Sequence, residues 1–182
     1  MNSLRTRFPL IVRAVMFVKG AYAGTVSTWV GGTSNAWTDA SNRDNSVPLN
    51  TVGAQLSAVV NSTANNPVVL GSSLAVSSLT LGSGSALQIG GDSALTLAGP
   101  GTSSLGAGSS ITGTLNNAAT SAVNVVGNAT LNGLVNQSGG LVQTVGATAL
   151  ALQGTAVNQS GAAAQNRRGG HVEPELGREL HQ

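Results

Sequence analysis

One short phrase returns at a nearly fixed interval in the second half of this chain, and it constrains the fold more than any other feature. The phrase occurs at Ile111–Asn117 (ITGTLNN), at Leu131–Gln137 (LNGLVNQ) and at Leu152–Gln159 (LQGTAVNQ). Its copies are spaced by about 20 to 22 residues, with aliphatic residues at matching points and glycine between them. A period of this length is typical of a solenoid in which each repeat is one turn of the chain.

The sequence between and before these copies predicts short β-strands. From Asn61 onward, runs of three to five residues alternate apolar and small polar side chains, as at Val68–Leu70, Leu79–Leu81 and Ala94–Leu97. Glycine-rich segments separate the runs, and frequent glycine and β-branched residues disfavour helix. We therefore expect an all-β fold, a right-handed parallel β-helix with about five coils of 20–22 residues over residues 61–166, on the order of 25 Å long.

Each copy of the phrase contains asparagine near its end. We expect the repeated Asn116, Asn136 and Asn158 to lie above one another in successive coils. Stacked amides of this kind bond to each other along the stack and form a ladder. The sequence therefore predicts a structural, not a catalytic, part for these three residues.

The charged residues are concentrated at the two ends of the chain. The whole sequence carries a formal net charge of +2, but between residues 24 and 166 the charged side chains are only Asp39, Arg43, Asp44 and Asp92. A nucleic-acid surface needs clustered lysine and arginine, so no nucleic-acid partner is expected. The chain has no cysteine, which is compatible with an exported protein.

The N-terminus has the order of segments found in export signals. Arg5 and Arg7 precede an apolar stretch, Phe8–Val18, and Ala21-Tyr22-Ala23 supplies small residues for signal peptidase. We expect residues 1–23 to be a signal peptide and the mature chain to be secreted or held at a bacterial cell surface.

Residues 24–60 differ from the repeats and are expected to cap the first coil. Both tryptophans of the chain, Trp29 and Trp37, lie here. A solenoid exposes raw backbone edges at its ends, so a bulky segment that covers one end is physically expected. The alternative is an aromatic platform that stacks on a sugar ring.

This segment resembles the opening of passenger regions in bacterial autotransporters, and the repeats resemble the shafts of filamentous-haemagglutinin-like adhesins. The residues that carry the first resemblance are Trp29, Gly31, Gly32, Trp37, Asn42, Val47 and Pro48. The chain departs from that pattern at Arg43, where the pattern has its last tryptophan. The resemblance implies a β-helical N-terminal fragment of an adhesin passenger. Its partners would be a host-cell or bacterial surface or a glycan, and an outer-membrane translocator would come from a missing C-terminal region or a separate chain.

The repeat region has few groups capable of acid–base chemistry. It and the cap offer Asp39, Asp44 and Asp92, while both histidines, His171 and His181, lie in the last residues of the chain. Acid–base catalysis needs positioned titratable groups, and calcium needs several carboxylates. We expect no enzymatic activity, no metal site and no cofactor, with Asp92 in a turn.

The last residues abandon the repeat pattern abruptly. Residues 167–182 contain all three glutamates of the chain and are expected to be disordered or weakly helical, as after a truncation or a shifted reading frame. Two alternatives to an adhesin stay open. One is a fibre or biofilm-matrix subunit that self-associates end to end, and the other is a non-functional remnant of an autotransporter gene.

Overall fold

The computed structural model describes residues 25–32, 34–48, 56–167 and 171–174, with side chains as far as residue 165. The predicted signal peptide, residues 1–23, lies outside the described residues, as does the end of the predicted tail from residue 175. Within the described part the chain forms short β-strands and a three-residue 3-10 turn, Ala40–Asn42, and no α-helix. The strands are β1 (Val26–Thr28), β2 (Ser57–Val60), β3 (Val68–Leu70), β4 (Leu74–Val76), β5 (Leu79–Leu81), β6 (Ala86–Ile89), β7 (Ala94–Leu97), β8 (Thr102–Leu105), β9 (Ser110–Asn117), β10 (Ala122–Val125), β11 (Ala129–Asn136), β12 (Leu141–Val145), β13 (Ala149–Asn158), β14 (Ala163–Arg167) and β15 (His171–Pro174).

These strands build a parallel β-solenoid of about five turns, which confirms the predicted class of fold. Every pairing between the described strands is parallel and joins one turn of the chain to the next. One wall stacks β1, β2, β5, β8, β10, β12 and β14 in that order. A second wall stacks β3, β6 and the first half of β9, and a third stacks β4, β7 and the second half of β9.

The interior is lined by columns of aliphatic side chains, one residue from each coil. In one column Val68, Leu87, Ile111 and Leu131 lie directly above one another, and each is buried. Side chains in a strand alternate between faces, so an in-register parallel stack places like positions of successive coils in contact. This packing buries apolar surface with medium-sized side chains and explains how the repeats hold together without aromatic residues.

A glycine forms a corner in the long strands β9 and β11. In the coil below them, the turn from Gly90 to Ser93 separates β6 from β7, whereas β9 and β11 pass the same corner at Gly113 and Gly133. These two glycines have φ angles of +94° and +107°. The backbone register shifts between Asn132 and Leu134, so β11 uses one residue fewer than its neighbours at this corner. Coil length therefore varies from turn to turn.

The solenoid in the structure begins before the predicted residue 61 and continues past the predicted residue 166. Strands β1 and β2, inside the predicted cap of residues 24–60, already pair with each other and with β5 as rungs of the first wall. At the other end, the predicted disordered or helical tail is wrong for its first part. Arg167 ends β14, and β15 pairs in parallel with Ala149–Leu152 of β13. Pairing at an open strand edge requires only backbone N–H and C=O groups, so a segment without the repeat pattern can form it.

We predict that Gly133→Ala lowers the free energy of unfolding by about 1–3 kcal/mol, because the residue has a left-handed φ angle. An added Cβ would also lie 2.7 Å from the carbonyl oxygen of Gly113. Denaturant unfolding monitored by circular dichroism measures the change. Gly71→Ala is the matched control, because Gly71 has no positive φ and its Cβ would meet nothing within 4 Å. Equal stability of the two variants would contradict the assignment of the corner.

Candidate functional site

Three asparagines form a continuous amide ladder through the last coils. Asn117 Nδ2 donates to Asn136 Oδ1 at 2.8 Å, and Asn136 Nδ2 donates to Asn158 Oδ1 at 2.7 Å. The members are 19 and 22 residues apart in sequence. Asn117 and Asn136 are buried, with 0% and 1% of their surface exposed. Because a buried amide without partners is costly, the bonds along the stack are what allow asparagine inside this solenoid.

Each amide of the ladder also holds the turn that follows it. Asn136 Nδ2 lies 3.3 Å from the carbonyl oxygen of Gly140, four residues later, and 3.1 Å from that of Ala163 in the next coil. Asn117 makes the same pair of contacts with Ser121 and Leu141. The ladder therefore fixes the corner that leads from one long strand into the next rung of the first wall.

The prediction for Asn116 is wrong by one residue, while Asn136 and Asn158 occupy the ladder. Asn116 lies opposite Val135 on the outward-facing side, half-buried, with its Nδ2 3.5 Å from Thr96 Oγ1. Asn117 and Asn136 lie four and three residues after the glycines of their copies, because β11 has one residue fewer than β9 at the corner. A small residue four positions after each ladder member is a better sequence signal for the ladder. This small residue leaves room for the turn that the asparagine amide bridges.

The ladder begins abruptly at Asn117. In the two coils below, the same column holds Leu97 and Val76, so Asn117 Oδ1 faces apolar side chains and has no hydrogen-bond partner in the described structure. The Ser121 hydroxyl donates to the carbonyl oxygen of Leu97 at 2.7 Å. This carbonyl therefore has a hydrogen-bond partner at the level where the column changes from leucine to asparagine. Along the length of the solenoid, the side chains at this corner thus change from aliphatic residues to asparagines.

An arginine between two indole rings forms the centre of the cap. Trp37 is fully buried and Trp29 is 5% exposed. The guanidinium carbon of Arg43 lies 4.4 Å from the ring centroid of Trp37 and 5.4 Å from that of Trp29. The guanidinium is therefore placed for cation–π attraction to both indoles.

The burial of Arg43 has an electrostatic cost. Burial lowers its pKa to about 10, and the nearby carboxylate of Asp44 acts in the opposite direction. Its Nη1 and Nη2 atoms have no hydrogen-bond partner among the described residues, while Nε donates to the carbonyl oxygen of Trp37 at 3.4 Å. The side chain remains charged at neutral pH because its pKa stays well above 7. With both indoles buried and Arg43 against them, neither offers a free face to a sugar ring, which contradicts the platform alternative.

The cap also occupies the hydrogen-bonding edge of the first coil. Asp44 accepts a bond from the N–H of Thr28 at 2.7 Å through Oδ1, and its own N–H donates to the Thr28 carbonyl at 3.1 Å. On the second wall, the N–H of Val69 donates to the carbonyl of Asn35, and the N–H of Trp37 donates to the carbonyl of Val69. Among the described residues, the cap therefore covers part of the first and second walls at this end.

The remaining acidic residues have local structural partners or lie in turns. Asp39 accepts bonds from the hydroxyls of Ser34 at 2.6 Å and Ser41 at 2.7 Å, and these bonds lower its pKa. Asp92 lies in the turn between β6 and β7, as predicted. Among the residues that the structure describes, no three histidine, cysteine or acidic side chains come together where they could hold a metal ion. No helix in that same part of the chain is long and apolar enough to cross a membrane.

We predict that Asn117→Ala lowers the free energy of unfolding by about 1–3 kcal/mol, because it leaves the buried Oδ1 of Asn136 without its donor. Asn116→Ala is the matched control at the neighbouring position and is expected to cost less than about 0.5 kcal/mol. Chemical denaturation of both variants distinguishes them. A larger effect at Asn116 would show that the register of the ladder is wrong.

In the cap, we expect Arg43→Ala to lower the free energy of unfolding by about 1–3 kcal/mol, since it empties the space between two indole rings. Arg43→Met refills this space without a charge and should recover most of the loss, because packing then replaces the cation–π contact. Unfolding followed by tryptophan fluorescence reports directly on this cluster. If Arg43→Ala proves as stable as the unchanged chain, the cluster does not stabilise the cap.

Comparisons with models of known families, with curated proteins and with solved structures find no match for this chain. The family resemblance described from the sequence therefore stays a prediction. What the structure establishes is a capped β-solenoid with an amide ladder along one corner.

Proposed function

We propose that the chain is a β-helical segment of a secreted or cell-surface bacterial exoprotein, similar to an autotransporter or haemagglutinin-like adhesin passenger. Its role is to form a stiff, nearly uncharged shaft that presents contact surface to a host cell, a bacterial cell or a glycan. The single observation that carries this proposal is the cap on the first coil followed by a stack of parallel coils. Such a stack is rigid along its axis because every coil is bonded to the next.

The surface of the stack fits a contact role in its chemistry. Along one outward-facing row of the second wall, successive coils present Gln88, Thr112, Asn132 and Gln153. All four have uncharged side chains that can donate and accept hydrogen bonds, and their rungs are about 4.8 Å apart. A neutral, hydrogen-bonding surface of this kind is suited to hydroxyl-rich ligands and does not depend on ion pairing.

The other two roles considered for the sequence receive less support. A fibre that grows by adding coils head to tail needs both ends of the stack open, but Asp44 and the neighbouring cap residues occupy part of the first and second walls at the N-terminal end. No contact of the described residues favours a non-functional remnant over a functional segment, because the ladder stays in register through Asn158, whose Oδ1 accepts the bond from Asn136.

Binding of the folded chain to cell surfaces tests the proposal. Beads coated with the chain are expected to bind bacterial or epithelial cells saturably, and soluble chain should compete for that binding. Leu131→Asp is expected to abolish both the fold and the adhesion, because Leu131 is completely buried in a central coil. The matched control is Val126→Asp, which adds the same charge at a residue that is 50% exposed and should retain adhesion.

Adhesion that is equal for the unchanged chain and the Leu131→Asp variant would show that the binding does not need the solenoid. No binding above uncoated beads to any of the cell types or to an array of neutral and acidic glycans would contradict the adhesive role itself.

A further inference from the structure

An exposed asparagine of the second wall is followed by the glycine that forms the corner of β11. Asn132-Gly133 is the only asparagine–glycine pair in the whole sequence. Asn132 is exposed, and among the described residues its side-chain amide has no hydrogen-bond partner. An asparagine is more labile when glycine follows it, because glycine has no Cβ to shield its backbone nitrogen from the asparagine side chain. The pair is therefore suited to spontaneous chemical change.

The two atoms that would react lie on the same side of the corner. A Cβ added to Gly154, at the matching corner of β13, would lie 3.5 Å from Cγ of Asn132 and 4.0 Å from the backbone nitrogen of Gly133. Both atoms therefore face the corner of the next coil. A side chain at position 154 would contact the Asn132 amide, whereas glycine leaves this amide room to rotate.

The neighbouring coils carry other residues before the corner glycine. Thr112 precedes Gly113 in β9, and Gln153 precedes Gly154 in β13. Threonine has no amide. Attack on a glutamine amide would have to close a six-membered ring instead of a five-membered ring, which is slower. Of these three stacked corners, only the one in β11 combines an asparagine amide with a following glycine.

We propose that Asn132 is a site of spontaneous deamidation in the folded solenoid. The backbone nitrogen of Gly133 loses its proton and attacks Cγ of Asn132, and Nδ2 leaves as ammonia, which closes a five-membered imide. Water then opens the imide at either carbonyl and gives aspartate or isoaspartate. Nothing is oxidised or reduced, and the net change converts one amide and one water into one carboxylate and one ammonium ion. The reaction is independent of the adhesive role.

The corner of β11 can accept both products. The backbone of isoaspartate is longer by one carbon than that of asparagine. β11 has one residue fewer at this corner than β9 and β13, because the register shifts between Asn132 and Leu134. The added carbon brings β11 closer in length to its neighbours, so the rungs on either side can stay in register.

Deamidation changes the chemistry of the outward-facing row of the second wall to which Asn132 belongs. The sequence has no charged residue between Asp92 and Arg167, so this part of the shaft is neutral when the chain is made. A carboxylate at position 132 is ionised at neutral pH. The neutral face therefore acquires a negative charge with time.

Incubation of the full chain at mildly alkaline pH, followed by tandem mass spectrometry, tests the proposal. The expected result is a progressive conversion of Asn132 to a residue with the mass of aspartate, with an acidic shift of the folded chain on ion exchange. Asn128 is the internal control and should stay unchanged. It is also exposed, but alanine follows it and its Oδ1 accepts the N–H of Ala149 at 2.9 Å.

Two variants of Asn132 test the assignment to this residue. Asn132→Gln and Asn132→Thr give β11 the residues that the neighbouring coils carry at the same corner, so both should fold. Each is expected to lose the acidic form completely. An acidic form that persists in both variants overturns the assignment. A folded chain in which Asn132 stays intact overturns the proposal, whether or not the same residue deamidates in urea. Loss of the β-sheet circular dichroism signal on deamidation overturns the fit of the products to the corner.

Discussion

The in-register parallel pairing between successive coils is the interaction on which the rest of this structure depends. It places the same position of each coil in one column, so that aliphatic residues such as Leu87, Ile111 and Leu131 pack on each other. The backbone bonds and the side-chain columns reinforce each other, because a shift of one residue would turn every buried side chain outward. A chain with 3% aromatic residues can therefore form a continuous core.

The same pairing leaves backbone N–H and C=O groups without a partner at an end of the stack, so residues outside the repeat pattern are needed there. At the N-terminus the cap meets this need with a buried cluster, Trp29, Trp37 and Arg43, and with Asp44 bonded to the edge of β1. Arginine suits this place because its planar guanidinium packs on an indole face. At the other end, β15 pairs with Ala149–Leu152 of β13 and so continues the stack by a partial rung.

The asparagine ladder shows how a solenoid can tolerate polar groups inside. The column changes from Val76 and Leu97 to Asn117, Asn136 and Asn158, and the amides are satisfied by each other and by turn carbonyls. An isolated asparagine in this place would be costly, but each added rung supplies the partner that the one below requires. The orphaned Oδ1 of Asn117 marks where this mutual support stops.

The recurring phrase and the glycine-rich turns were sufficient to predict the stacked parallel coils and the turn at Asp92. These features depend on local periodicity, which a single sequence displays directly. The periodicity of the sequence did not predict which residue of the next coil each residue pairs with. Asn117, and not Asn116, joins the ladder because Gly133 takes up a corner with one residue fewer, and such a register shift exists only between neighbouring strands. The same holds for β15, whose sequence lacks the repeat pattern and whose strand forms because the stack below it offers an edge. The sequence by itself determined the period and hence the kind of fold, whereas the tertiary structure decided the register and the packing of the cap on the first coil, because these depend on contacts between segments that are distant in the chain.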